Sequence, residues 1–459
     1  MKSTVSNAAR ITMVVVLVAF AIVLSATAVV PQGAPRTVVL ISIDGLHPDY
    51  VTQADKLGLT IPNLRQLMRD GTYATGVQGV IPTVTYPSHA TLVTGVSPAK
   101  HGIYSNTTFD PLSKNQGGWY WYASDIKVPT LWDVAAERRL TTGNVHWPVT
   151  VSANITWNIP QYWRTGTPDD RKLVAALSTR GLLDTLEHAI GPYADGIDES
   201  IAGDETRARF VVQLLKTKRP SLMFAYFTAL DHEQHEKGPW TPEAKAILER
   251  IDRSVGDVRR AAAEASNNRA VVAVVSDHGF AATEKSLNLG VAFAEAGLIT
   301  LGTDGKPTAW LAMPWGAGAS AAIVIADSAP PATRDRVRAV LDRVGADPAN
   351  GVDVILDVAA LKKGGGFPTA AFHVGLKPGF TAGSATRGPL LTPSTVKGTH
   401  GHLNTMRELH ASFFIAGPGI PAGKSLGVVD MRDIAPTLAA ILGFKLPAAE
   451  GRNLLPDGL

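Results

Sequence analysis

The sequence predicts an α/β protein: a mostly parallel central sheet with helices on both faces and a small inserted α+β cap lobe. Three observations carry this expectation. Continuous β-branched runs such as TVVLISI, starting at Thr37, mark strands buried on both faces. These runs alternate with helical periodicity, as in EAKAILERIDRSVGDVRRAAAEA at 243–265, which argues for helices layered on a parallel sheet. Between 301 and 391 the texture changes to an α+β segment bounded by Gly/Pro-rich stretches, and the core pattern resumes at LHASFFIAGPGI. The expected organisation is a core of 36–300 and 392–459 around a cap of 301–391.

The N-terminus precedes this core. Lys2 and Arg10 flank an apolar run, ITMVVVLVAFAIVL at 11–24, followed by SATA at 25–28. That is the pattern of a signal peptide, 1–28, cut after Ala28. Continued through Val30, the run reaches bilayer length, so an uncleaved anchor at 11–30 is the alternative. Either way the body is expected to be exported, periplasmic or extracellular.

Composition narrows the chemistry. The chain has 459 residues, 45% hydrophobic and 18% charged, which is ordinary globular material. Its 43 basic and 40 acidic residues give +3, too little for a phosphate-tracking surface, so nucleic acid is not an expected partner. There is no cysteine. Disulfides, thiolate metal sites, cysteine nucleophiles and formylglycine made from cysteine are thereby excluded.

The elements, taken in order, raise one question each. The first strand breaks at Asp44-Gly45, where open α/β sheets bind ligands. VIPTVTYPSHATLVTG, at 80–95, crowds hydroxyls into a strand-to-helix turn. Either Thr85 or Ser88 caps a helix starting at Pro87, or one hydroxyl is a nucleophile at an anion-favouring helix start. Residues 119–164 are rich in Trp and Tyr, suited to lining a cleft or to packing beneath loops. The run LMFAYFTAL at 222–230 ends at Asp231, and DHEQH sets Asp231 and His235 on one face if a helix begins there. AVVAVVSDHGF breaks at Asp277-His278, and KGTHGH places His400 and His402 in a glycine-rich loop. Carboxylates and imidazoles without thiolate suit zinc, with manganese or iron as alternatives.

The order ISIDG, PTVTYPSHATLVTG, HGIYSN, DHEQH, SDHG, GTHGH resembles the nucleotide pyrophosphatase/phosphodiesterase branch of the alkaline phosphatase superfamily. The resemblance extends to the tail IAPTLAAILGFKLPAAEGRNLLP. It implies an alkaline-phosphatase-like fold and two zinc ions. Asp231, His235 and His400 would hold one; Asp44, Asp277 and His278 would hold the other, with Thr85 as its fourth ligand. It also implies that Thr85 is the nucleophile and passes through a covalent phosphoryl-threonine. Asn106, helped by the Thr85-Tyr86 backbone, would donate to the phosphoryl oxygens. Tyr86, Tyr162 and Tyr226 match aromatic positions of the substrate pocket. His89, His101, His232 and His402 are expected to support loops or ligands, and Thr83 and Ser88 to serve as turn and cap.

The same comparison bears on substrate. No Cys/Ser-x-Pro-x-Arg motif of sulfatases stands at the nucleophile. The Lys-x-Arg pair of threonine-using monoesterases is missing from TTGNVHWPVTVSANITW. A small-molecule phosphodiester or nucleotide is the expected substrate, and no protein partner is implied. A phosphonate hydrolase, a phosphomonoesterase and a non-catalytic zinc-stabilised binding protein are the alternatives.

Overall fold

The computed structural model describes residues 37–115, 118–194 and 196–456. The leader at 1–28 and its anchor reading at 11–30 lie outside the described residues. Among the described residues no helix is long and apolar enough to cross a membrane.

Among the described residues the central sheet has eight strands. Its middle is formed by β1 (Val38–Ile43), β2 (Thr142–Val145), β3 (Trp157–Ile159), β4 (Leu222–Phe227), β5 (Val271–Val275) and β6 (Phe413–Ala416). In space they run β6-β5-β1-β4-β2-β3, with the short strands Thr72–Tyr73 and Lys424–Ser425 beyond β6. β4 and β5 flank β1 in parallel, and Ser42 stands level with both Tyr226 and Val275. All three chain ends therefore leave the same sheet edge at one height. Strand β6 is antiparallel to β5.

The sequence explains the layering. In β1, Val39, Ile41 and Ile43 face an apolar layer with Phe210, Leu214, Ile251 and Val255. Val38 and Leu40 face the other layer, with Leu92, Val93 and Leu438. Alternate residues of a strand take opposite faces, so a strand buried on both sides must be apolar throughout. Each such aliphatic side chain contributes about 1.5–3 kcal/mol by burial. Four of the helices bear on the site: α1 (Thr85–Thr94), α2 (Ile201–Lys218), α3 (Ala229–Lys237) and α4 (Pro242–Ala265). Helix α4 matches the expected segment, with Thr241 capping it at Ala244 N–H and Pro242 in its first turn.

Two boundaries differ from expectation. The strand expected over 222–230 ends at Phe227, and α3 takes over at Ala229, which puts Asp231 in its first turn. Helix α1 begins at Thr85 rather than Pro87. The first helical N–H groups lack partners inside a helix anyway, so proline is tolerated anywhere in that turn.

The segment 301–391, expected as a cap, holds a four-stranded antiparallel sheet, Ala312–Ala317, Ser320–Ile325, Phe372–Leu376 and Val352–Asp357, with helices Thr333–Ala346 and Val358–Gly364. Its apolar cluster reaches back to Leu287 and Phe293. A further strand, Ala281–Leu287, pairs with Gly398–Thr399, Thr399 opposite Ala281. That pairing brings the glycine loop of His400 beside the chain that has just left Asp277-His278.

Candidate active site

Asp44, Asp277 and His278 meet at the carboxyl ends of β1 and β5. Gly45 N–H donates to Asp277 Oδ1 at 3.2 Å, and Asp44 N–H donates to the Phe227 carbonyl at 2.9 Å. Gly45 has φ +68°, and a Cβ there would lie 2.9 Å from Gln234 Nε2. Glycine is thus required both by the left-handed backbone and by the close approach. His278 Nε2 lies 3.4 Å from Asp44 Oδ1 and 3.1 Å from Asp277 Oδ2.

The second group comes from α3 and the glycine loop. His235 Nε2 is 3.4 Å from Asp231 Oδ2, one helical turn away. His400 Nε2 is 3.7 Å from Asp231 Oδ1. All three histidines use Nδ1 on a backbone carbonyl: His235 on Gly398, His278 on Gly279, His400 on Thr83. A ring anchored at Nδ1 presents Nε2 as a metal-ligating nitrogen.

The donor atoms of Asp44, Asp277 and His278 all lie within 4.8 Å of one another, as do those of Asp231, His278 and His400. The first trio coincides with one set that the resemblance implies. The second differs by placing His278 where His235 was expected, because the His278 and His400 rings stack with centroids 3.7 Å apart. His235 adjoins that trio through Asp231.

The arrangement suits cations. Asp44 Oδ1, Asp231 Oδ1, Asp277 Oδ2 and His278 Nε2 are buried and have no hydrogen-bond partner among the described residues. An unpaired buried charge is too costly to keep without compensation. Burial, then mutual repulsion with Asp231 and Asp277, pushes the Asp44 carboxyl well above the usual carboxylate range. Burial likewise pushes Asp231 up to about 6 and Asp277 up to about 7. Burial holds His278 and His400 neutral. Neutral imidazoles and crowded oxygens with vacant lone pairs are the donor set of a divalent metal centre.

Thr85 is the first residue of α1, after Val84 in extended backbone, and is 7% exposed. The capping reading fails, since no side chain caps α1. Ser88, expected as a cap, has a buried hydroxyl without a partner among the described residues. The helix start is tied to the cluster on two sides. His400 grips the Thr83 carbonyl, and His89 bridges the Thr85 carbonyl at 2.8 Å, the Ser42 hydroxyl at 2.9 Å and Asp277 Oδ2 at 3.7 Å. Burial pushes His89 down to about 3, so it sits there as a neutral spacer.

Asn106 is placed by the helix start. Its Oδ1 accepts from Tyr86 N–H at 2.9 Å. This corrects one expectation: that N–H, awaited as a donor to substrate, is already used. The bond orients the carboxamide and leaves Asn106 Nδ2 as the donor.

The aromatic positions separate. Tyr86 is 1% exposed, donates to Gln161 Oε1 at 2.8 Å and meets Trp119 edge-on. Tyr162 is half-buried against Trp121, which stands next to the half-buried Trp163. Tyr226 is 2% exposed, and its hydroxyl donates to Asp44 Oδ2. That bond places the hydroxyl at the candidate metal-ligand cluster, a neighbour the expected pocket role did not include. The strand gave no sign of this, because a tyrosine in a run buried on both faces carries no mark of what its hydroxyl meets.

The supporting histidines fall where polar loops need them. His101 receives the Ile103 N–H and bonds Thr91. His232 pairs with Glu199 at 3.3 Å. The His402 carbonyl accepts from Thr83. Beside Asn106, a cavity of about 430 Å³ runs between Thr107, Phe109, Lys306, Trp315 and Thr386.

Known proteins share both sequence and fold with this chain. An uncharacterised pyrophosphatase/phosphodiesterase of Schizosaccharomyces pombe is 29% identical over 262 residues, 54% of this chain and 45% of that protein. Human ectonucleotide pyrophosphatase/phosphodiesterase family member 1 is 27% identical over 251 residues, 52% of this chain and 23% of that one. The matched segment thus spans less than half the length of either relative. The solved structure of human ectonucleotide pyrophosphatase/phosphodiesterase 5 superimposes with TM-score 0.65 at 20% identity, covering 91% of this chain and 97% of the other. Its murine counterpart, TM-score 0.65 at 19% identity over the same shares, was solved as an inactive threonine-to-alanine variant in complex with AMP. The family model for type I phosphodiesterase/nucleotide pyrophosphatase matches residues 38–399, from the first strand to the loop of His400. With that span and this fold, the chain belongs to the type I phosphodiesterase/nucleotide pyrophosphatase family.

Proposed function

We propose that this protein is an exported phosphodiesterase/nucleotide pyrophosphatase that cleaves phosphodiester or pyrophosphate bonds through a phosphoryl-threonine. The observation that carries the reading is the set of unpartnered buried oxygens on Asp44, Asp231 and Asp277, gathered beside the helix start that bears Thr85. Asp44, Asp277 and His278 would hold one zinc ion with Thr85, and Asp231, His235 and His400 a second. When bound, such ions neutralise the carboxylates and make a coordinated hydroxyl acidic enough to attack at neutral pH.

The chain's own groups do the rest. The Thr85 oxygen forms a bond to phosphorus as the bond to the leaving oxygen breaks, in line with it. Water then cleaves the phosphoryl-threonine and restores the hydroxyl. Asn106, fixed through its oxygen by Tyr86, offers Nδ2 to a phosphoryl oxygen as charge develops. The cavity beside Thr107 gives room for one ester group. No Lys-x-Arg pair stands in the 141–157 segment to meet the second negative charge of a monoester. The murine neighbour's complex with AMP supports a nucleotide class of substrate.

A panel of a p-nitrophenyl nucleotide diester, bis-p-nitrophenyl phosphate, p-nitrophenyl phosphate and a small phosphonate tests this. The nucleotide diester should exceed the monoester in kcat/KM at least tenfold, about 1.4 kcal/mol of transition-state discrimination. Preference for the monoester or phosphonate would overturn the diesterase reading. Recovery of the chain from the cytoplasm would overturn export.

A further inference from the structure

One buried ion pair lies outside the residues discussed so far. Asp204 and Arg207, three apart on α2, are both 0% exposed. The Asp204 carboxylate accepts the Thr228 N–H on Oδ1 at 3.0 Å and the Ala229 N–H on Oδ2 at 2.8 Å. These are partnerless donors at the start of α3, the helix carrying Asp231 and His235. Thr228, at the cap position, makes no side-chain cap of its own. Its hydroxyl instead accepts from Arg207 Nη1 at 3.1 Å.

Arg207 Nη1 also donates to Asp204 Oδ1 at 2.8 Å, and Nη2 donates to the carbonyls of Ile197 at 3.1 Å and Asp198 at 2.6 Å. The next residue, Glu199, pairs with His232 beside Asp231. A single pair thus clamps the end of β4, the first turn of α3 and the loop whose carboxylate meets that turn. An ion pair in an apolar interior adds little stability over well-packed apolar side chains. A role in placing α3 explains why one stands here.

We infer that Asp204 and Arg207 are positioning residues: from α2 they cap α3 in trans and fix Asp231 and His235 in register with His400. Asp231 lies two residues past Ala229, inside the turn that the carboxylate holds, so a loosened cap displaces it directly. The functional half of this inference rests on Asp231 and His235 being metal ligands; the capping half does not.

The test uses Asp204→Asn and, as a volume-conserving swap that avoids an orphaned charge, the double variant Asp204→Leu/Arg207→Met. Amide hydrogen exchange of metal-free protein is read at 228–232 and in β1 and β5. Zinc affinity is read by competition with a chelator, and kcat and KM on a diester. Exchange at 228–232 should accelerate at least tenfold with β1 and β5 unchanged. Zinc affinity at one of two sites should fall at least tenfold, and kcat should fall while KM holds within twofold. Wild-type protection at 228–232 in both variants would overturn the cap. Equal loss of protection in β1 and β5 would reduce the pair to a purely structural role. A wild-type protein that binds no zinc would overturn the metal assignment and leave the exchange result to decide the cap.

Discussion

Tyr226 and Asp44 are hydrogen-bonded across neighbouring parallel strands, the phenol donating to Oδ2 while Oδ1 faces His278 at 3.4 Å. One carboxylate oxygen is thereby committed, and the other has no hydrogen-bond partner among the described residues, as the proposed metal site requires. Tyr226→Phe should therefore lower zinc affinity severalfold and kcat by about tenfold, with KM for a nucleotide diester unchanged within twofold. A rise in KM with unchanged zinc binding would restore a stacking role for the ring.

Thr85 supplies the attacking oxygen in the proposed reaction. Thr85→Ala should cut kcat by about 10³-fold or more, and Thr85→Ser should keep measurable turnover. Both variants should retain their thermal midpoint, because the change removes a single small polar group at the first position of α1, and their bound zinc, because Asp44, Asp277 and His278 remain to hold that ion. Stoichiometric phosphorylation at residue 85 under acid quench gives a direct reading, and wild-type turnover by Thr85→Ala would send the search to another hydroxyl.

The crowded carboxylates make metal-free protein sensitive to alkali. Asp231 and Asp277, pushed up to about 6 and 7, keep protons in the fold that the unfolded chain would release. Folding then takes up protons, so this contribution is full below the ordinary carboxylate pKa and is lost as pH rises through 6 to 7. Asp277→Asn removes one such group. Between pH 5 and 8.5 its metal-free stability should overtake wild type by at least about 1 kcal/mol, roughly the value of one pKa unit. Comparing the two proteins cancels the buried histidines, which act in the opposite direction. A gap that closes as pH rises would refute the account.

Gly45 occupies a left-handed turn pressed against Gln234. Gly45→Ala should cost about 1–2 kcal/mol from the backbone alone, read by denaturant unfolding. It should also weaken zinc binding, because the Gly45 N–H holds Asp277 Oδ1. Unchanged stability would mean that the turn relaxes without strain.

The sheet and the ligand candidates were legible because strands buried on both faces must be apolar, so Asp44 and Asp277 stand out at their ends and Asp231 just beyond one, in the first turn of α3. Adjacency of β4, β1 and β5 was not written in any one strand, since register comes from the parallel crossovers. The start of α1 was misjudged because proline signals the first turn and not a particular position in it. The bond from Tyr226 to Asp44 was not legible, because hydropathy gives a tyrosine's burial without its partner. Asp204 and Arg207 carried no signal at all: opposite charges three apart on a helix read as a solvent-facing pair. Only the packing of α2 under α3 turns them inward.

The shared height of three strand ends has a consequence for how such a protein can diverge. The candidate metal ligands of β1 and β5 hang from paired backbone and cannot drift singly, since a strand can slip only in steps that keep its faces. The Trp119 loop and the cap sheet are carried by other stretches of chain. A chimera that received those stretches from a distant family member would have new walls around the candidate metal centre while its ligand groups kept their places.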